Sequence, residues 1–528
     1  MATPTGFKKW IVVITVIVAA IMELIDTSIV NVALSQMSGS LGASIEDIAW
    51  VVTSYAIANV IIIPMTGFLA RYFGRKNYYL GSIILFTIAS YACGQSTGLV
   101  ELVIFRFIQG VGGGALLSTS QALLFDSFPT EERPFASALF GMGVIVGPAF
   151  GPTLGGVIID HFNWPLIFDI NVPVGIVAAV LVYLFVDKKP EEYSIDRKNM
   201  HIDVIGIVLL AVGIGALQVV LEKGESEDWF HTNYITALTI AAIVGLVGFV
   251  IWELRQKEPV VNIRVMGNKT LAFTTILTFI FGYGLFAAVF IYPVMVQRLM
   301  GYTPTMTGVS LIPGTLSAFF ILPIVGKMMV KGTSPQLFVG VGFACYIGFC
   351  FWMASFNADA SSWDFFHPLI IRGVGAAMLT VPLTNQAVMG LAPKDIPQGI
   401  AINNMMRQLG GAFGIAITNT YIGNRMGTHR VDLISNVDGG FISSQRINQL
   451  TSFFMSKGAD LTRAKDQALH MIDGIVNQQA ALLSYQDAFR LVGIFFIICL
   501  PLIGLVKRKT MSKKEAEQAQ KAAAEAAH

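Results

Sequence analysis

Long apolar runs alternate with short charged segments along almost the whole chain, and this pattern constrains the fold most strongly. A bilayer core needs roughly 20 consecutive apolar residues per helix, and each run approaches or exceeds that length. Charged residues make up only 13% of the chain, whereas a soluble domain carries about 25%. The sequence therefore predicts an all-α membrane protein with many transmembrane helices.

Fourteen segments have the length and apolar character of a spanning helix. They are numbered here as spans 1 to 14 in chain order. The predicted spans are 11–34, 48–70, 78–97, 99–124, 135–159, 166–186, 202–222, 234–254, 270–297, 304–330, 336–356, 366–391, 398–421 and 486–507.

Lysine and arginine lie mainly in the even-numbered connections between spans. Because short cytoplasmic loops are enriched in these residues, the pattern predicts that both termini face the cytoplasm. Residues 10–34 are too long for a signal-peptide core, so we interpret them as a retained first span. The basic residues of the even-numbered connections are Arg71, Arg75, Lys76, Arg133, Lys188, Lys189, Arg197, Lys198, Arg255, Lys257, Arg264, Lys269, Lys327, Lys331 and Lys394.

The chain contains an internal repeat. Residues 108–116 of span 4 resemble residues 371–379 of span 12, and residues 63–67 of span 2 resemble residues 322–326 of span 10. Repeats of this kind build the central site of many secondary transporters. The match of spans 2 and 4 with spans 10 and 12 predicts two six-helix halves separated by two extra helices, a 6+2+6 arrangement. The N-terminal bundle, the two-helix insertion and the C-terminal bundle are predicted at residues 1–190, 191–256 and 257–528.

Two segments fall outside the predicted bundle. Residues 422–485 form a long polar connection on the outer side, and within it residues 443–480 have the pattern of one amphipathic helix. Residues 508–528 form a cytoplasmic tail rich in Ala, Glu, Lys and Gln, to which we assign no chemistry.

Ionisable residues within a membrane are costly and commonly functional. Glu23 and Asp26 lie three residues apart in span 1, on one helix face. Apolar surroundings favour the neutral carboxyl, which suits proton uptake and release. Arg106 in span 4 is predicted to pair with these acids and to be freed by their protonation. The alternative is that Asp26 and Arg106 are permanent structural braces.

Further polar and aromatic residues are candidates for the wall of a substrate cavity, because amphipathic ligands favour aromatic walls with a few polar groups. Ordinary helix packing is the alternative for the aromatic residues, and Arg407 is either a cavity residue or a brace. Arg372 is a further inward-facing cation without an assigned role. The cavity candidates are Asn31, Gln109, Phe286, Phe290, Tyr292, Asn385, Gln386, Asn404 and Arg407.

Span 5 and the turn between spans 2 and 3 have patterns that indicate conformational change. Glycines four residues apart permit close helix contact, and prolines within a helix bend it. The turn carries cations that are predicted to pair with Asp126 at the end of span 4. The alternative is that these cations only anchor the turn on the cytoplasmic side of the membrane, and the two roles are compatible. The residues concerned are Gly67, Gly74, Arg75, Lys76, Gly147, Pro148, Gly151, Pro152 and Gly155.

No enzymatic signature occurs in the sequence. A Walker A motif is absent, and the glycines at 110–114 lie within a predicted helix rather than between a strand and a helix. The four cysteines all lie within apolar runs, without metal-ligand spacing. We predict no cofactor, no metal and no nucleic-acid partner, and an ion gradient as the energy source.

These motifs resemble those of the major facilitator superfamily. Residues 67–76 resemble its loop 2–3 motif, although Arg71 stands where aspartate is usual. Residues 106–110 and 147–156 resemble the span 4 motif and the span 5 antiporter motif, and residues 24–33 resemble the span 1 signature of fourteen-helix drug:proton antiporters. Residues 164–175, residues 228–230 and the long outer connection are similar to EmrB-type permeases. Glu23 and Asp169 depart from that family, in which a neutral polar residue and an apolar residue are usual at these two positions.

The resemblance implies a function and partners. It implies a proton-coupled multidrug efflux antiporter of a bacterial inner membrane, working by alternating access on small amphipathic compounds. It also implies a periplasmic EmrA-like adaptor and an outer-membrane TolC-like channel, with residues 422–485 as the candidate docking surface. A stand-alone drug:proton antiporter without an adaptor is the alternative; the span 5 motif disfavours an importer or a channel.

Overall fold

The computed structural model describes residues 6–188, 202–435 and 441–505, and these residues are helical apart from turns and short connections. The predicted tail 508–528 lies outside them. The helices are α1 Gly6–Leu41, α2 Ile45–Ile48, α3 Trp50–Phe73, α4 Arg75–Gly94, α5 Leu99–Asp126, α6 Arg133–His161, α7 Leu166–Asp169, α8 Asn171–Phe185, α9 Val204–Lys223, α10 Asn233–Arg255, α11 Lys269–Met300, α12 Pro304–Val330, α13 Pro335–Met353, α14 Phe366–Gln386, α15 Ile396–Ser435, α16 Phe441–Ser456 and α17 Leu461–Cys499.

Twelve segments of the described chain are long and apolar enough to cross a membrane. Two further long helices, α4 and α15, correspond to predicted spans 3 and 13 but are not among these twelve. Both carry polar residues: α4 begins with Arg75, Lys76 and Asn77, and α15 contains Asn403 and Asn404. Both nevertheless pack within the bundle, α4 against α5 and α8, and α15 against α11, α17 and α3.

The helices form two packed groups joined along α6 and α12. Buried residues of α11, α13, α14 and α17 form the largest apolar cluster, and those of α1, α4, α5, α6 and α8 form the second. The second cluster also contains Val388, Ile396 and Ile400 from the C-terminal group. These residues lie at the end of the bundle that carries Arg75 and Lys76, called here the basic end, so the two groups are in contact there.

The inserted pair forms a unit of its own at the edge of the bundle. Helices α9 and α10 pack against each other, and α9 also packs against α3 and α15. Gly213 and Gly245 permit the close approach, since a Cβ added at Gly245 would lie 2.7 Å from the Cα of Gly213. The insertion therefore lies beside one helix from each group.

The structure corrects the prediction for residues 422–485. Helix α15 continues to Ser435 and α17 begins at Leu461, so much of this region extends the neighbouring helices. The predicted single helix over 443–480 is wrong, because the chain turns between α16 and α17. Gly458 adopts a φ of +97° in this turn, and the Asp460 side chain accepts a hydrogen bond from the Arg463 backbone amide at 2.8 Å, which caps α17.

Candidate functional site

A buried ion pair lies inside the N-terminal group of helices. Arg106 of α5 donates a hydrogen bond to Asp26 of α1 over 2.7 Å, and both side chains are at most 1% exposed. Gln109 Nε2 and Asn171 Nδ2 donate to the other carboxylate oxygen of Asp26 at 2.9 and 2.8 Å. Both oxygens of the carboxylate are therefore satisfied, as a buried charge requires.

Three helices position these partners. Arg106 and Gln109 lie one turn apart on α5 and therefore on one face, and Arg106 also donates to the side-chain oxygen Oε1 of Gln109 at 2.7 Å. Asn171 is the first residue of α8, directly after the break that ends α7. Its amide nitrogen also donates to Ser90 of α4 at 3.1 Å. The network thus ties α1, α4, α5 and α8 together.

The Arg106 guanidinium has further partners besides the carboxylate. Its Nε donates to the Val51 carbonyl at 3.2 Å, and its Cζ lies 4.3 Å from the centre of the Tyr55 ring and 5.5 Å from that of Phe168. These contacts to α3 and α7 hold the guanidinium independently of Asp26. Protonating the carboxyl would therefore cancel the ion pair without leaving the arginine unsupported.

Glu23 forms a separate site on the same helix. Its side chain is 4% exposed, and one carboxylate oxygen accepts hydrogen bonds from Asn59 at 3.0 Å and Tyr55 at 3.3 Å. The other oxygen is buried without a partner among the described residues. Tyr55 also lies under the Arg106 guanidinium, so this residue links the two acidic sites.

The Glu23 site extends to the C-terminal group. Gln408 of α15 donates to the amide oxygen of Asn59 at 3.4 Å, and the half-buried Arg407 interacts electrostatically with Glu23. One helical turn away, Asn404 donates to Ser118 at 3.2 Å. The structure thus brings the first acid of span 1 to the boundary between the two groups of helices.

Several predicted cavity residues have other positions in the structure. Gln109 belongs to the buried Asp26 network, where it is fully enclosed. Asn404 is buried and bonds to Gln121 and Ser118 between the two groups. Tyr292 lies in the apolar core, with its ring edge against Phe365 and its hydroxyl donating to Ser310 at 2.7 Å. Hydrogen bonds or packing within the structure therefore account for these three side chains, and their part in a cavity wall stays a prediction.

The remaining cavity candidates differ in how exposed they are. Asn31 of α1 is exposed, and its amide donates to the Thr27 carbonyl within the same helix. Phe286, Phe290 and Asn385 are half-buried. Gln386 is buried, and its amide has no hydrogen-bond partner among the described residues.

The glycine stripe of α6 packs against α1. Cβ atoms added at Gly143, Gly147 and Gly155 would lie 3.1, 2.5 and 2.9 Å from side chains of α1, and one at Gly151 would collide with the Ser28 hydroxyl. The stripe therefore faces the helix that carries both acids. Another face of α6 packs against α12, so α6 lies between α1 and the C-terminal group. Pro148 and Pro152 lie within this helix.

The turn between α3 and α4 carries the second ion pair that the sequence predicts. Gly74 adopts a φ of +84°, a left-handed conformation that favours glycine. Arg75 then pairs with Asp126 at the end of α5, and Lys76 donates to the Tyr183 carbonyl at 2.7 Å. In α3, a Cβ added at Gly67 would lie 2.5 Å from the Gln398 side chain, so α3 contacts α15 closely at the basic end.

Sequence reasoning missed three polar partners of the two acids, together with Ser90, which bonds to one of these partners. Asn171, Ser90, Tyr55 and Asn59 are neutral residues of apolar helices, and no charge singles them out. The available signals were the asparagines of otherwise apolar segments, since a buried amide needs hydrogen-bond partners.

Comparison with known proteins places the chain in a family. Residues 16–415 match the family model described as Major Facilitator Superfamily. The multidrug export protein EmrB of Escherichia coli strain K12 is 33% identical over 507 residues, covering 95% of this chain and 96% of the relative. The fatty acid resistance protein FarB of Neisseria gonorrhoeae is 31% identical over 489 residues, covering 93% and 94%.

Solved structures share the fold at much lower identity. The proton:xylose symporter XylE bound to 6-bromo-6-deoxy-D-glucose has a TM-score of 0.57 at 14% identity, covering 93% of this chain and 96% of that chain. The human organic anion transporter MFSD10 has a TM-score of 0.57 at 11% identity, covering 92% and 99%. The chain belongs to the major facilitator superfamily, and within it to the family of transporters that includes the multidrug export protein EmrB.

Proposed function

We propose that this chain is a proton-coupled antiporter that exports small amphipathic drug-like compounds across a bacterial inner membrane by alternating access. The observation that carries the proposal is the fully buried pair of Asp26 and Arg106 within the helical bundle. A carboxylate in this position can exchange a proton without any cofactor. The similarity to the multidrug export protein EmrB supports the direction of transport.

Asp26 is the proposed proton carrier. Loading a proton from the outer side neutralises the carboxyl and removes its attraction to Arg106, while the Val51 backbone carbonyl and the Gln109 side-chain oxygen keep the guanidinium in place. The contact between α1 and α5 is weakened as a result. Release of the proton to the cytoplasm restores the pair, and substrate binding accompanies that release. Glu23 is a second carboxyl that shares in this cycle.

The two groups of helices are the proposed moving parts. They meet at the basic end through Asn404, Ser118 and Gln121, and this contact must separate for the bundle to open there. The Arg75–Asp126 pair acts as a latch near the same end. Helix α6 permits the movement because its glycine stripe lets it slide along α1.

For the membrane topology, we infer fourteen spans in the 6+2+6 arrangement, with α4 and α15 added to the twelve apolar segments. Both helices are long and pack within the bundle, which supports their inclusion. Both termini then lie in the cytoplasm together with the basic end. The proposed domain boundaries remain residues 1–190, 191–256 and 257–528.

The extension opposite the basic end is the proposed docking surface for a periplasmic adaptor of the EmrA type, which would connect to a TolC-like channel. It consists of the C-terminal end of α15, the whole of α16 and the N-terminal start of α17. Phe453, Met455 and Leu461 are exposed there, and Arg430 pairs with Asp473 at 3.0 Å to hold α15 against α17. Exposed apolar side chains of this kind suit a protein partner.

The docking proposal can be tested by removing α16 alone. Replacing 437–459 with a short Gly/Ser linker leaves α15 and α17 intact, so the bundle should fold. We expect weaker co-purification with the adaptor while dye export from vesicles continues. The control exchanges the exposed Lys331 for alanine at the basic end. Unchanged adaptor recovery would refute the docking surface and favour a stand-alone antiporter.

The function itself can be tested in everted vesicles that contain the wild-type protein. Energising the vesicles with a proton gradient should drive accumulation of an amphipathic dye, and nigericin should abolish it by collapsing that gradient. Vesicles without the protein give the background. Accumulation that continues after the gradient has collapsed would contradict proton coupling.

A further inference from the structure

The turn that joins the two helices of the insertion contacts both groups of helices at the outer end, which is the end of the bundle opposite the basic end. It runs from Lys223, the last residue of α9, to Trp229, shortly before α10 begins. The proposed transport cycle assigns these residues no role. Residues 223–229 are called here the strap.

The first residue of the strap is tied to the N-terminal group. Lys223 is 9% exposed, and its Nζ donates a hydrogen bond to the backbone carbonyl of Glu46 in α2 at 3.0 Å. The same ammonium lies 5.6 Å from the ring centre of Trp50, the first residue of α3, which is within the range of a cation–π interaction. These contacts hold the end of α9 against α2 and α3.

The other end of the strap is tied to α15 of the C-terminal group. The Glu225 carboxylate accepts a hydrogen bond from the Asn419 amide at 2.7 Å, and the Trp229 indole N–H donates to the Thr420 hydroxyl at 3.1 Å. Asn419 lies about 32 Å further along α15 than Gln398, at a rise of about 1.5 Å per residue, and Gln398 contacts α3 at the basic end. The strap therefore links the two groups far from their contact at the basic end.

The backbone of the strap has an uncommon conformation. Asp228 and Trp229 have φ values of +53° and +50°, in the left-handed region that residues with a side chain seldom adopt. The Trp229 ring covers Gly224, where an added Cβ would lie 2.6 Å from ring carbon atoms, and the Trp229 amide donates to the Gly224 carbonyl at 2.6 Å. Such a conformation persists only where the surrounding contacts determine it, so the strap is a defined turn rather than a freely adaptable connection.

We propose that the strap holds the outer ends of α3 and α15 in the arrangement described here, and that it must release α15 when the two groups close at the outer end. The inference rests on the alternating-access part of the proposed function. In this structure the groups are in contact at the basic end, so the strap stabilises the state in which that end is closed. A contact made in only one of two states shifts their equilibrium toward that state. Weakening the strap should therefore favour opening of the basic end.

The two attachments of the strap differ in burial, and this indicates which one releases. Lys223 is buried against α2 and α3, whereas Glu225 is exposed and Trp229 and Asn419 are half-buried. Water can replace the partners at the exposed attachment, so its separation avoids the cost of a buried polar group without a partner. A hydrogen bond is lost once its atoms separate beyond about 3.5 Å, so a small displacement of α15 is sufficient.

The conformational test uses purified full-length protein in nanodiscs, with its native cysteines replaced and spin labels attached at Asn77→Cys and Lys331→Cys. Both positions are exposed at the basic end, one in each group, so the distance between the labels distinguishes an open from a closed basic end. Trp229→Phe keeps an aromatic ring and removes the indole N–H. We expect the ratio of open to closed molecules to rise about two- to tenfold, as for the loss of a neutral hydrogen bond. Trp363→Phe, at a position 75% exposed at the outer end, is the matched control.

A double-mutant cycle tests the second contact of the strap independently of Trp229. It compares Glu225→Ala, Asn419→Ala and the double variant by the same ratio of open to closed molecules. The coupling between the two substitutions should be at least about twofold, because the contact exists in only one of the two states. Either an unchanged ratio in folded Trp229→Phe or the absence of this coupling would overturn the proposal. If Trp229→Phe does not fold, the cycle decides alone.

Covalent fixation tests whether the strap must release α15 during transport. A membrane-permeant bifunctional thiol reagent with a reducible spacer can join Glu225→Cys to Asn419→Cys, because the native side chains lie 2.7 Å apart. The joined protein should show only the closed basic end and no dye export in everted vesicles, and reduction should restore both opening and export. Each single cysteine variant treated with the same reagent is the control.

Full dye export by the joined protein would overturn the proposal, because the strap would then not need to release α15. Failure of the wild type to export any dye would refute the proposed export function instead. The distances between the spin labels would still decide the role of the strap in that case, since they are measured without transport.

Discussion

Asp26 shows at the scale of single residues how a charge is kept inside the bundle. Its carboxylate has three donors, and Arg106 has two further acceptors besides Asp26. The pair was predictable because few ionisable residues lie within the spans. Gln109 and Asn171 were not assigned to it, because a neutral amide in an apolar helix does not reveal its partner in sequence.

Replacing Arg106 by alanine is expected to abolish dye export. The substitution leaves the Asp26 carboxylate buried without its cation, which costs about 3–5 kcal/mol of folding free energy. Export is measured in everted vesicles, and stability by denaturant unfolding in detergent. Arg255→Ala, at an exposed position, serves as the control. Wild-type export by Arg106→Ala would remove this arginine from the mechanism.

Glu23→Gln tests the second acid of α1. The amide can still accept hydrogen bonds from Tyr55 and Asn59, but it removes the negative charge that faces Arg407. We expect export of a cationic dye to fall several-fold relative to that of a neutral compound, with folding preserved. An unchanged ratio of the two export rates would show that Glu23 acts neither in cation preference nor in charge balance between the helices.

Helix α6 shows at the scale of elements how spacing determines packing. Glycines at intervals of four residues were predicted to permit close contact, and the structure places them against α1. The sequence alone could not identify the partner helix, because a glycine stripe fits any neighbouring surface. The region 422–485 illustrates the opposite case: its polar composition suggested a loop, although helices can continue beyond the membrane wherever their side chains are solvated.

Gly151→Ala tests the contact between α6 and α1. The added methyl group would collide with the Ser28 hydroxyl, and overpacking of this kind costs about 1–3 kcal/mol. We expect export to fall at least several-fold, measured as the initial rate of dye accumulation. Gly348→Ala in α13 is the matched control, because nothing lies within 4 Å of its added Cβ. Equal rates for the two variants would refute the importance of this contact.

The whole molecule consists of two similar groups of helices and an inserted pair. The family fold and the internal repeat were predictable from sequence because apolar runs and short motifs recur along the chain. The contacts between the groups were not, since side chains such as Asn404 and Gln121 meet only after folding. In this structure the groups touch at the basic end, and we propose that this contact opens and closes during transport.

Cross-linking tests that movement. In a protein with its four native cysteines replaced, a Ser118→Cys, Asn404→Cys pair should cross-link readily, because the native side chains lie 3.2 Å apart. The cross-link should stop dye export, and reduction should restore it. Each single cysteine variant treated with the same reagent is the control. Full export by the cross-linked protein would show that the basic end need not open.

The exchange of Asp26 for asparagine tests the central claim most directly. Asparagine matches the shape of aspartate but cannot carry a proton, and the acceptors of Arg106 other than Asp26 remain. The proposed mechanism predicts that Asp26→Asn folds and inserts normally yet shows only background dye accumulation in everted vesicles energised with a proton gradient. Normal gradient-driven accumulation by this variant would contradict the assignment of Asp26 as the proton carrier.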